Sequence, residues 1–179
     1  IGSPEELKLD LRRLTPVDQF TSLEGAVDLL CRHRSHQIVI VGDFDADGAT
    51  SAALMYLCLK QLSFSGTSFF LPDRFEFGYG LSPEVVERIT QRPGAEKPAL
   101  LITVDNGITS IEGVAAARAQ GIDVIITDHH LPGERLPSAN AIVNPNVPGD
   151  TFSGKCLAGV GVAFYLLAAL GRRLEVPGL

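Results

Sequence analysis

From residue 37 onwards, short apolar runs alternate with longer stretches that have the composition of helices. The short runs are rich in β-branched side chains, which is typical of strands buried on both faces of a parallel sheet. They predict five strands, at residues 38–41, 68–71, 100–104, 124–127 and 141–143. The intervening stretches predict helices at residues 49–62, 83–90, 110–120 and 158–173. This alternation indicates an α/β protein with an open, mainly parallel five-stranded sheet and flanking helices.

The first 36 residues follow a helical pattern instead. Leu7, Leu11 and Leu14 recur at heptad-like spacing, and a second helix is predicted from about Ser22. Residues 21–24 have the pattern of a capping box, with Thr at the first position and Glu at the fourth. We therefore divide the chain into a helical lead-in, residues 1–36, and an α/β domain, residues 37–179.

The bulk composition narrows the class of protein. With 179 residues and 45% hydrophobic side chains, the chain can bury a core without disulfides. Its three cysteines are widely spaced in apolar surroundings, which favours buried thiols over a disulfide framework and indicates a reducing compartment, the cytoplasm. The most apolar stretch, residues 157–170, is shorter than the roughly 20 residues of a membrane span, so no membrane partner is expected. The net charge of −6 argues against broad electrostatic wrapping of nucleic acid, unless bound cations offset it locally.

Acidic and imidazole side chains recur directly after three of the predicted strands. Ligands of open α/β sheets bind beyond the carboxyl ends of the strands, so these side chains are expected at one edge of the sheet. Five aspartates and two histidines in one place would repel and desolvate one another unless cations held them. They are Asp43, Asp45 and Asp47 after the first strand, Asp105 after the third, and Asp128, His129 and His130 after the fourth. This clustering predicts a metal site.

The residue types suit two cations. In an extended segment, Asp43, Asp45 and Asp47 would point to the same side and offer several oxygens to hard cations. Asp105 could bridge two ions, and a neutral imidazole at His129 would suit Mn²⁺ beside Mg²⁺. Carboxylate-rich paired sites of this kind bind the attacking and leaving oxygens in phosphoryl transfer.

Other interpretations of these residues compete with the metal site. An EF-hand loop requires a bidentate Glu at its twelfth position, where this chain has Leu54, and a helix ahead of the loop, where this chain has a strand. A haloacid-dehalogenase-type phosphatase would use the first Asp as a covalent nucleophile, but that fold gives no role to the Asp-His-His tripeptide. Taken alone, the two histidines could be ordinary loop residues, and Asp105 could be a helix cap or turn acceptor.

Several longer segments resemble the DHH phosphoesterase family and, within it, the RecJ-like branch of single-strand-specific 5′ to 3′ DNA exonucleases. Three segments are similar to the first, second and third motifs of the family: residues 38–51 (IVIVGDFDADGATS), 102–108 (ITVDNGI) and 127–130 (TDHH). Three more are similar to the RecJ-like branch: residues 74–81 (RFEFGYGL), 143–146 (VNPN) and 157–164 (LAGVGVAF). The resemblance covers most of the chain.

The resemblance implies a Rossmann-like DHH phosphoesterase domain over residues 37–179 and a site for two Mn²⁺ or Mg²⁺ ions. The implied metal ligands are Asp43, Asp45, Asp47, Asp105 and His129, and the implied catalytic residues are Asp105, His129 and His130. His130 would face the scissile phosphate, and Arg74 and Tyr79 are further candidates for substrate binding. Phe75, Phe77 or Tyr79 could stack on bases, although residues 74–81 could equally form a surface loop held to the core by its aromatic rings.

The implied function is a metal-dependent exonuclease that hydrolyses single-stranded DNA 5′ to 3′ in DNA repair and recombination. The implied partners are single-stranded DNA, a single-strand-binding protein and a helicase. The fourth motif of the family, which supplies another metal-binding Asp, has no match after Arg173, so we expect an incomplete domain with weak or absent activity on its own. Two alternatives stay open: another DHH-family phosphodiesterase acting on oligonucleotides or cyclic dinucleotides, and a non-catalytic DNA-binding relative. Clustered carboxylates are of little use to a scaffold, which favours an enzyme.

Overall fold

A computed structural model describes residues 14–176 of the chain. Within them, a 3-10 helix at Val17–Gln19 precedes six α-helices and five β-strands. The helices are α1 (Leu23–Arg32), α2 (Ala46–Gln61), α3 (Arg74–Phe77), α4 (Pro83–Thr90), α5 (Ile111–Ala119) and α6 (Gly159–Arg173). The strands are β1 (Ile38–Gly42), β2 (Thr67–Phe70), β3 (Leu100–Val104), β4 (Asp123–Thr127) and β5 (Ala141–Val143). The helix predicted from Leu7 and Leu11 lies outside the described residues.

The five strands form one parallel sheet in the order β2-β1-β3-β4-β5. β1 lies between β2 and β3, so that Ile40 pairs with Phe69 on one side and with Ile102 on the other. The chain leaves β1 towards β2 at one edge of the sheet and then returns to add β3 on the opposite side of β1. The carboxyl ends of β1 and β3 therefore flank a topological switch point, where open α/β sheets bind ligands. The predicted fold class is confirmed.

Helices cover both faces of the sheet and bury two separate hydrophobic cores. Leu100 and Ile102 face the core under α1, α2 and α6, whereas Leu101, between them, faces the core under α4 and α5. Because both faces are covered, the central strands are apolar at nearly every position instead of alternating. β3 is buried along its whole length, which fixes the place where the loop after it begins.

Helix α2 begins at Ala46, three residues before the predicted start. Asp45 is its N-cap, because Asp45 Oδ1 accepts a hydrogen bond from the Gly48 N–H at 2.9 Å, and Asp is among the preferred residues at this position. Asp47 consequently lies in the first turn of a helix. The prediction that Asp43, Asp45 and Asp47 share one side of an extended segment is therefore wrong.

Two smaller predictions also differ from the structure. The capping box at residues 21–24 does not form, because the Leu23 N–H bonds to the Phe20 carbonyl and the Ser22 hydroxyl, at the N-cap of α1, has no partner among the described residues. The segment at residues 74–81 begins with one helical turn, α3, which Asp73 caps by accepting a hydrogen bond from the Phe75 N–H at 2.9 Å.

Between residues 14 and 176, no helix combines the length and the apolar character needed to cross a membrane. The apolar stretch near the end of the chain forms the 15-residue helix α6. Most of its buried side chains belong to the core that α1 and α2 also line.

Candidate metal centre

The loops after β1, β3 and β4 meet in the crevice at the carboxyl edge of the sheet. They bring carboxylate and imidazole groups together in two overlapping sets, each with its potential ligand atoms within 4.8 Å of one another. The first set is Asp43, Asp45 and Asp105, and the second is Asp105, His129 and His130. Asp105 belongs to both sets, which is where a ligand shared by two cations would lie.

Asp105 is held in an unusual position. It is 1% exposed, its φ of 60° is in the left-handed region that Asp and Asn tolerate, and its N–H donates to the Thr127 carbonyl at 2.9 Å. Its buried Oδ1 has no hydrogen-bond partner of suitable geometry among the described residues, although His129 Nε2 is 3.1 Å away. A buried carboxylate oxygen without a donor is costly unless a proton or a cation compensates it.

The electrostatics of Asp105 agree with its geometry. Burial, followed by the charges of Asp47 and Asp45, raises the pKa of Asp105 from 3.8 to about 7. Without a cation, this carboxyl group therefore keeps a proton up to near-neutral pH. A divalent cation would offset both the burial and the like charges, so the environment of Asp105 fits a metal ligand.

Asp47 falls in neither set. Its Oδ2 accepts a hydrogen bond from the Gly159 N–H at 2.7 Å, and its Oδ1 accepts one from the Val160 N–H at 2.8 Å. Asp47 Oδ2 also lies 3.7 Å from His129 Nε2, at the edge of the second set. Each carboxylate oxygen has a further lone pair, so these hydrogen bonds do not prevent metal binding. The role of Asp47 as a ligand stays a prediction.

Asp128 holds the two histidines, a role that spacing alone did not indicate. It is fully buried, and its Oδ1 accepts hydrogen bonds from the N–H groups of His129 at 2.7 Å and His130 at 3.1 Å. The same oxygen lies 2.7 Å from His130 Nδ1, while Oδ2 accepts a hydrogen bond from the Ile108 N–H at 2.9 Å. Because Nδ1 of His130 faces Asp128, its Nε2 remains for a ligand.

Tyr79 and His130 form a polar pair beside Asp105. The Tyr79 hydroxyl is 3.3 Å from His130 Nδ1 and donates to the Asp105 carbonyl at 3.4 Å. Burial and the nearby carboxylates raise the pKa of Tyr79, so its hydroxyl stays protonated. Burial by itself would lower the pKa of His130, but the hydrogen bond and charge of Asp128 outweigh this effect and raise it.

Two asparagines after β5 hold the backbone of the histidine loop. Asn144 Nδ2 donates to the His130 carbonyl at 2.9 Å, and Asn146 Nδ2 donates to the His129 carbonyl at 2.6 Å. Neither asparagine was predicted as a site residue. The only sequence signal was the segment at residues 143–146, which resembles the RecJ-like branch without showing what its side chains contact.

Asn106 and Gly107 shape the turn that follows Asp105. Asn106 Nδ2 donates to the carbonyls of Val41 at 3.1 Å and Val104 at 2.9 Å, and so joins the ends of β1 and β3. Gly107 has a φ of 112°, a conformation that side chains disfavour, and a Cβ there would lie 3.1 Å from Thr103 Cβ. The Asn-Gly pair is therefore required by the path of the backbone.

The predicted substrate-binding residues lie at the rim of the crevice. The Arg74 guanidinium lies over the Phe44 ring, with Cζ 4.0 Å from the ring centroid, and it is 6.0 Å from the centroid of the Tyr79 ring. Phe75 is 97% exposed, whereas Phe77 packs against Phe70 at the margin of a hydrophobic core. Among the rings considered for base stacking, Phe75 is the most accessible. Phe77 is less available, because its ring packs against the core.

A parallel sheet with carboxylate and imidazole groups at its carboxyl edge defines an α/β domain equipped to bind metal ions. Residues 37–177 match the model of the DHH family, N-terminal domain. The chain therefore belongs to the DHH family, as the resemblance of its motifs implied.

Comparison with individual proteins narrows the relationship. The chain is 51% identical over 180 residues to the single-stranded-DNA-specific exonuclease RecJ of Escherichia coli (strain K12), covering 99% of this chain and 30% of the relative. It is 38% identical over 141 residues to the protein of the same name from Thermus thermophilus, covering 79% of this chain and 20% of the relative. A crystal structure of exonuclease RecJ bound to manganese is similar with a TM-score of 0.79 and 34% identity, covering 92% of this chain and 41% of that one. The chain thus spans less than a third of the length of these two curated relatives.

Proposed function

We propose that this chain carries the metal centre of an exonuclease that hydrolyses single-stranded DNA from the 5′ end in DNA repair and recombination. The observation that carries the proposal is Asp105, a carboxylate shared by two sets of potential metal ligands, whose buried Oδ1 has no hydrogen-bond partner between residues 14 and 176. The relatives named single-stranded-DNA-specific exonuclease are 50–51% identical in two cases, which supports single-stranded DNA as the substrate.

The donor groups fit Mn²⁺ or Mg²⁺, the ions present in solved RecJ structures. Carboxylate oxygens suit both ions, and imidazole favours Mn²⁺. Asp43, Asp45 and Asp105 would hold one ion, and Asp105 and His129, with Asp47 beside them, would hold the other. When bound, two such ions polarise a phosphodiester and lower the pKa of the water molecule that attacks it.

His130 and Tyr79 are placed to orient the phosphodiester. With Nδ1 of His130 facing Asp128 and the pKa of the imidazole raised, Nε2–H can donate a hydrogen bond to a phosphate oxygen. The protonated Tyr79 hydroxyl lies beside it and can donate in the same way. Both groups would stabilise the negative charge that develops on the phosphate oxygens during hydrolysis.

Arg74 and the exposed rings complete the surface for substrate. The Phe44 ring keeps the Arg74 guanidinium at the rim, where it can meet a backbone phosphate. Phe75 can stack on an unpaired base, and a base inside a duplex has no free face to offer it. The arrangement therefore favours single strands over duplex DNA.

We further propose that a single-strand-binding protein and a helicase prepare this substrate, because a single-strand nuclease requires duplex DNA to be opened. We place the protein in the cytoplasm, and the free thiols of Cys31, Cys58 and Cys156 support a reducing compartment, although Cys156 is exposed and not buried as predicted. Residues 37–179 are the DHH phosphoesterase domain of this proposal, after the helical lead-in of residues 1–36.

The test is a degradation time course with single strands labelled at the 5′ or the 3′ end, using the protein as its gene encodes it. We expect the 5′ label to be released first, only in Mn²⁺ or Mg²⁺, and duplex DNA to resist. The chain alone, for which we predict weak or no activity, serves as a comparison. Earlier release of the 3′ label, or digestion in EDTA, would contradict the proposal. Hydrolysis of cyclic dinucleotides alone would favour another phosphodiesterase, and binding without hydrolysis would favour a non-catalytic relative.

A further inference from the structure

The first turn of α6 reaches into the metal centre from a distant part of the chain. Two backbone N–H groups of this turn donate to Asp47, Gly159 to Oδ2 at 2.7 Å and Val160 to Oδ1 at 2.8 Å. These partners lie 112 and 113 residues apart in the sequence. The N-cap residue of this helix, Ala158, has no side-chain acceptor, so the Asp47 carboxylate from α2 takes the place of a cap. The contact therefore serves two elements at once: it completes the hydrogen bonding of α6, and it fixes the orientation of Asp47.

Gly159 allows this approach. A Cβ at Gly159 would lie 2.7 Å from both Cβ and Cγ of Asp105, closer than real side chains come, and would overlap Asp105 Oδ1 as well. Asp105 cannot easily move aside, because it is 1% exposed and its N–H is bonded to the carbonyl of Thr127. Only a glycine lets the helix end pack against the carboxylate that both ligand sets share.

We propose that the first turn of α6 is a positioning element of the metal centre, with Gly159 as its critical residue. It sets the direction of Asp47 through two backbone hydrogen bonds and confines Asp105 by direct packing. Partners that orient metal ligands in this way typically affect metal affinity by one or two orders of magnitude. The inference rests on the proposed metal-dependent function. It adds that metal binding requires Gly159, a residue with no side chain to bind the metal.

Gly159→Ala tests the proposal, with Gly161→Ala in the same helix as the matched control. A Cβ at Gly161 meets Leu157 Cδ2 at 3.1 Å, the end of a flexible side chain that can yield. We expect Gly159→Ala to weaken Mn²⁺ binding roughly tenfold or more in calorimetric titration, and Gly161→Ala to bind like the wild type. The far-ultraviolet circular dichroism spectrum checks that both variants remain folded at the temperature of the titration.

A second pair of variants keeps the proposal testable if Gly159→Ala does not fold. Asn at position 47 has one acceptor oxygen where Asp47 has two, so Asp47→Asn loses one hydrogen bond to α6, whereas Asp45→Asn keeps its cap because Asn caps a helix as well as Asp does. Both variants remove one negative charge near Asp105, so in EDTA Asp47→Asn should unfold about 3 °C below Asp45→Asn.

The outcomes separate the possible explanations. A folded Gly159→Ala protein with unchanged Mn²⁺ affinity would overturn the positioning role and leave only packing. If that variant does not fold, equal unfolding temperatures for Asp47→Asn and Asp45→Asn in EDTA would also overturn it. A wild-type protein that binds no Mn²⁺ when made as its gene encodes it would overturn the proposed function and this inference with it.

Discussion

Asp128 Oδ1 lies 2.7 Å from His130 Nδ1 and also accepts the backbone N–H groups of both histidines after β4. One buried oxygen thus determines the position of the His129–His130 backbone and the direction of the His130 ring. A carboxylate that bonds to an imidazole in this way sets its tautomer and strengthens it as a donor at the other nitrogen. Asp128 is the first residue of the Asp-His-His motif. Its contacts indicate that it orients the two histidines.

Replacing Asp128 with Asn should impair turnover more than it impairs folding. The amide can accept the backbone hydrogen bonds through its oxygen, but its NH₂ group would face a donor, at His130 or at the Ile108 N–H. We expect kcat to fall roughly 10- to 100-fold and the free energy of unfolding to fall by about 1–3 kcal/mol. Single-strand hydrolysis by the protein as its gene encodes it measures the first effect, and urea unfolding measures the second.

Asp123→Asn is the matched control for that experiment. Asp123 forms a similar pair with His33, at 2.8 Å, but lies at the amino end of the same strand, β4. We expect some loss of stability and no change in kcat. Equal losses of kcat in the two variants would show that the Asp128 effect comes from general destabilisation.

The stability of the metal-free protein should depend on Asp105 and on pH. Because the folded state raises the pKa of Asp105 from 3.8 to about 7, the carboxyl group costs no stability below pH 3.8. As pH rises between these two values, the ionisation of Asp105 lowers the free energy of unfolding, and this loss reaches its full size above about pH 7. Asp105→Asn removes the charge and keeps the left-handed conformation accessible. In EDTA, we expect Asp105→Asn to be more stable than the wild type at about pH 8, by roughly 1–3 kcal/mol, and this difference to shrink as the pH is lowered towards about 4.

Mn²⁺ should reverse the order of stability, so that the wild type becomes more stable than Asp105→Asn. The ion stabilises the wild type increasingly as its concentration exceeds the dissociation constant, and a variant that lacks a shared carboxylate should gain much less. Unfolding curves in EDTA and in Mn²⁺ at about pH 8 provide the measurement. If the wild type were the more stable protein in EDTA at that pH, Asp105 would not be the unfavourably charged group described above.

Phe75→Ala should weaken single-strand binding without affecting the metal centre. Stacking of a base on an aromatic side chain contributes about 1–3 kcal/mol, so the affinity for an unpaired oligonucleotide should fall at least roughly fivefold. Fluorescence anisotropy in EDTA measures binding without hydrolysis. Phe69→Ala is the control, because the Phe69 ring is also exposed, at 49%, but lies on the edge strand β2 and packs against Tyr56 at a centroid distance of 5.4 Å. An equal loss for Phe69→Ala, or none for Phe75→Ala, would rule out stacking at Phe75.

The strands were predictable because their burial on two faces leaves a simple pattern in the chain. All five strands begin and end within one residue of the predicted positions, and the aspartates and histidines follow β1, β3 and β4 at the expected edge. The direction of Asp47 was not predictable in the same way. Asp45 could continue an extended segment or cap a helix, and the capping contact to Gly48 decides the outcome.

Contacts between distant segments account for what the residue pattern missed. No sequence pattern of helices requires a glycine at position 159. It is required because a larger residue would collide with the Asp105 side chain, more than fifty residues earlier in the chain. Asn146 similarly has no periodicity to identify it, because its role is to bind the backbone of the His129 loop. Side chains that orient ligands are recognised by their partners, which only the folded chain brings together.

Asn146 offers a final prediction. Its Nδ2 donates to the His129 carbonyl at 2.6 Å, so Asn146→Ala would leave that carbonyl without this donor and loosen the residue that supplies an imidazole ligand. We expect Mn²⁺ affinity to fall roughly 10-fold and stability by about 1–3 kcal/mol. Asn140→Ala is the control, since Asn140 donates to Asp123 at 2.6 Å at the other end of β5. The Asn140→Ala variant should be less stable than the wild type but bind Mn²⁺ with the same affinity. If both variants lost Mn²⁺ affinity equally, the position of β5 rather than the Asn146 hydrogen bond would control the histidine loop.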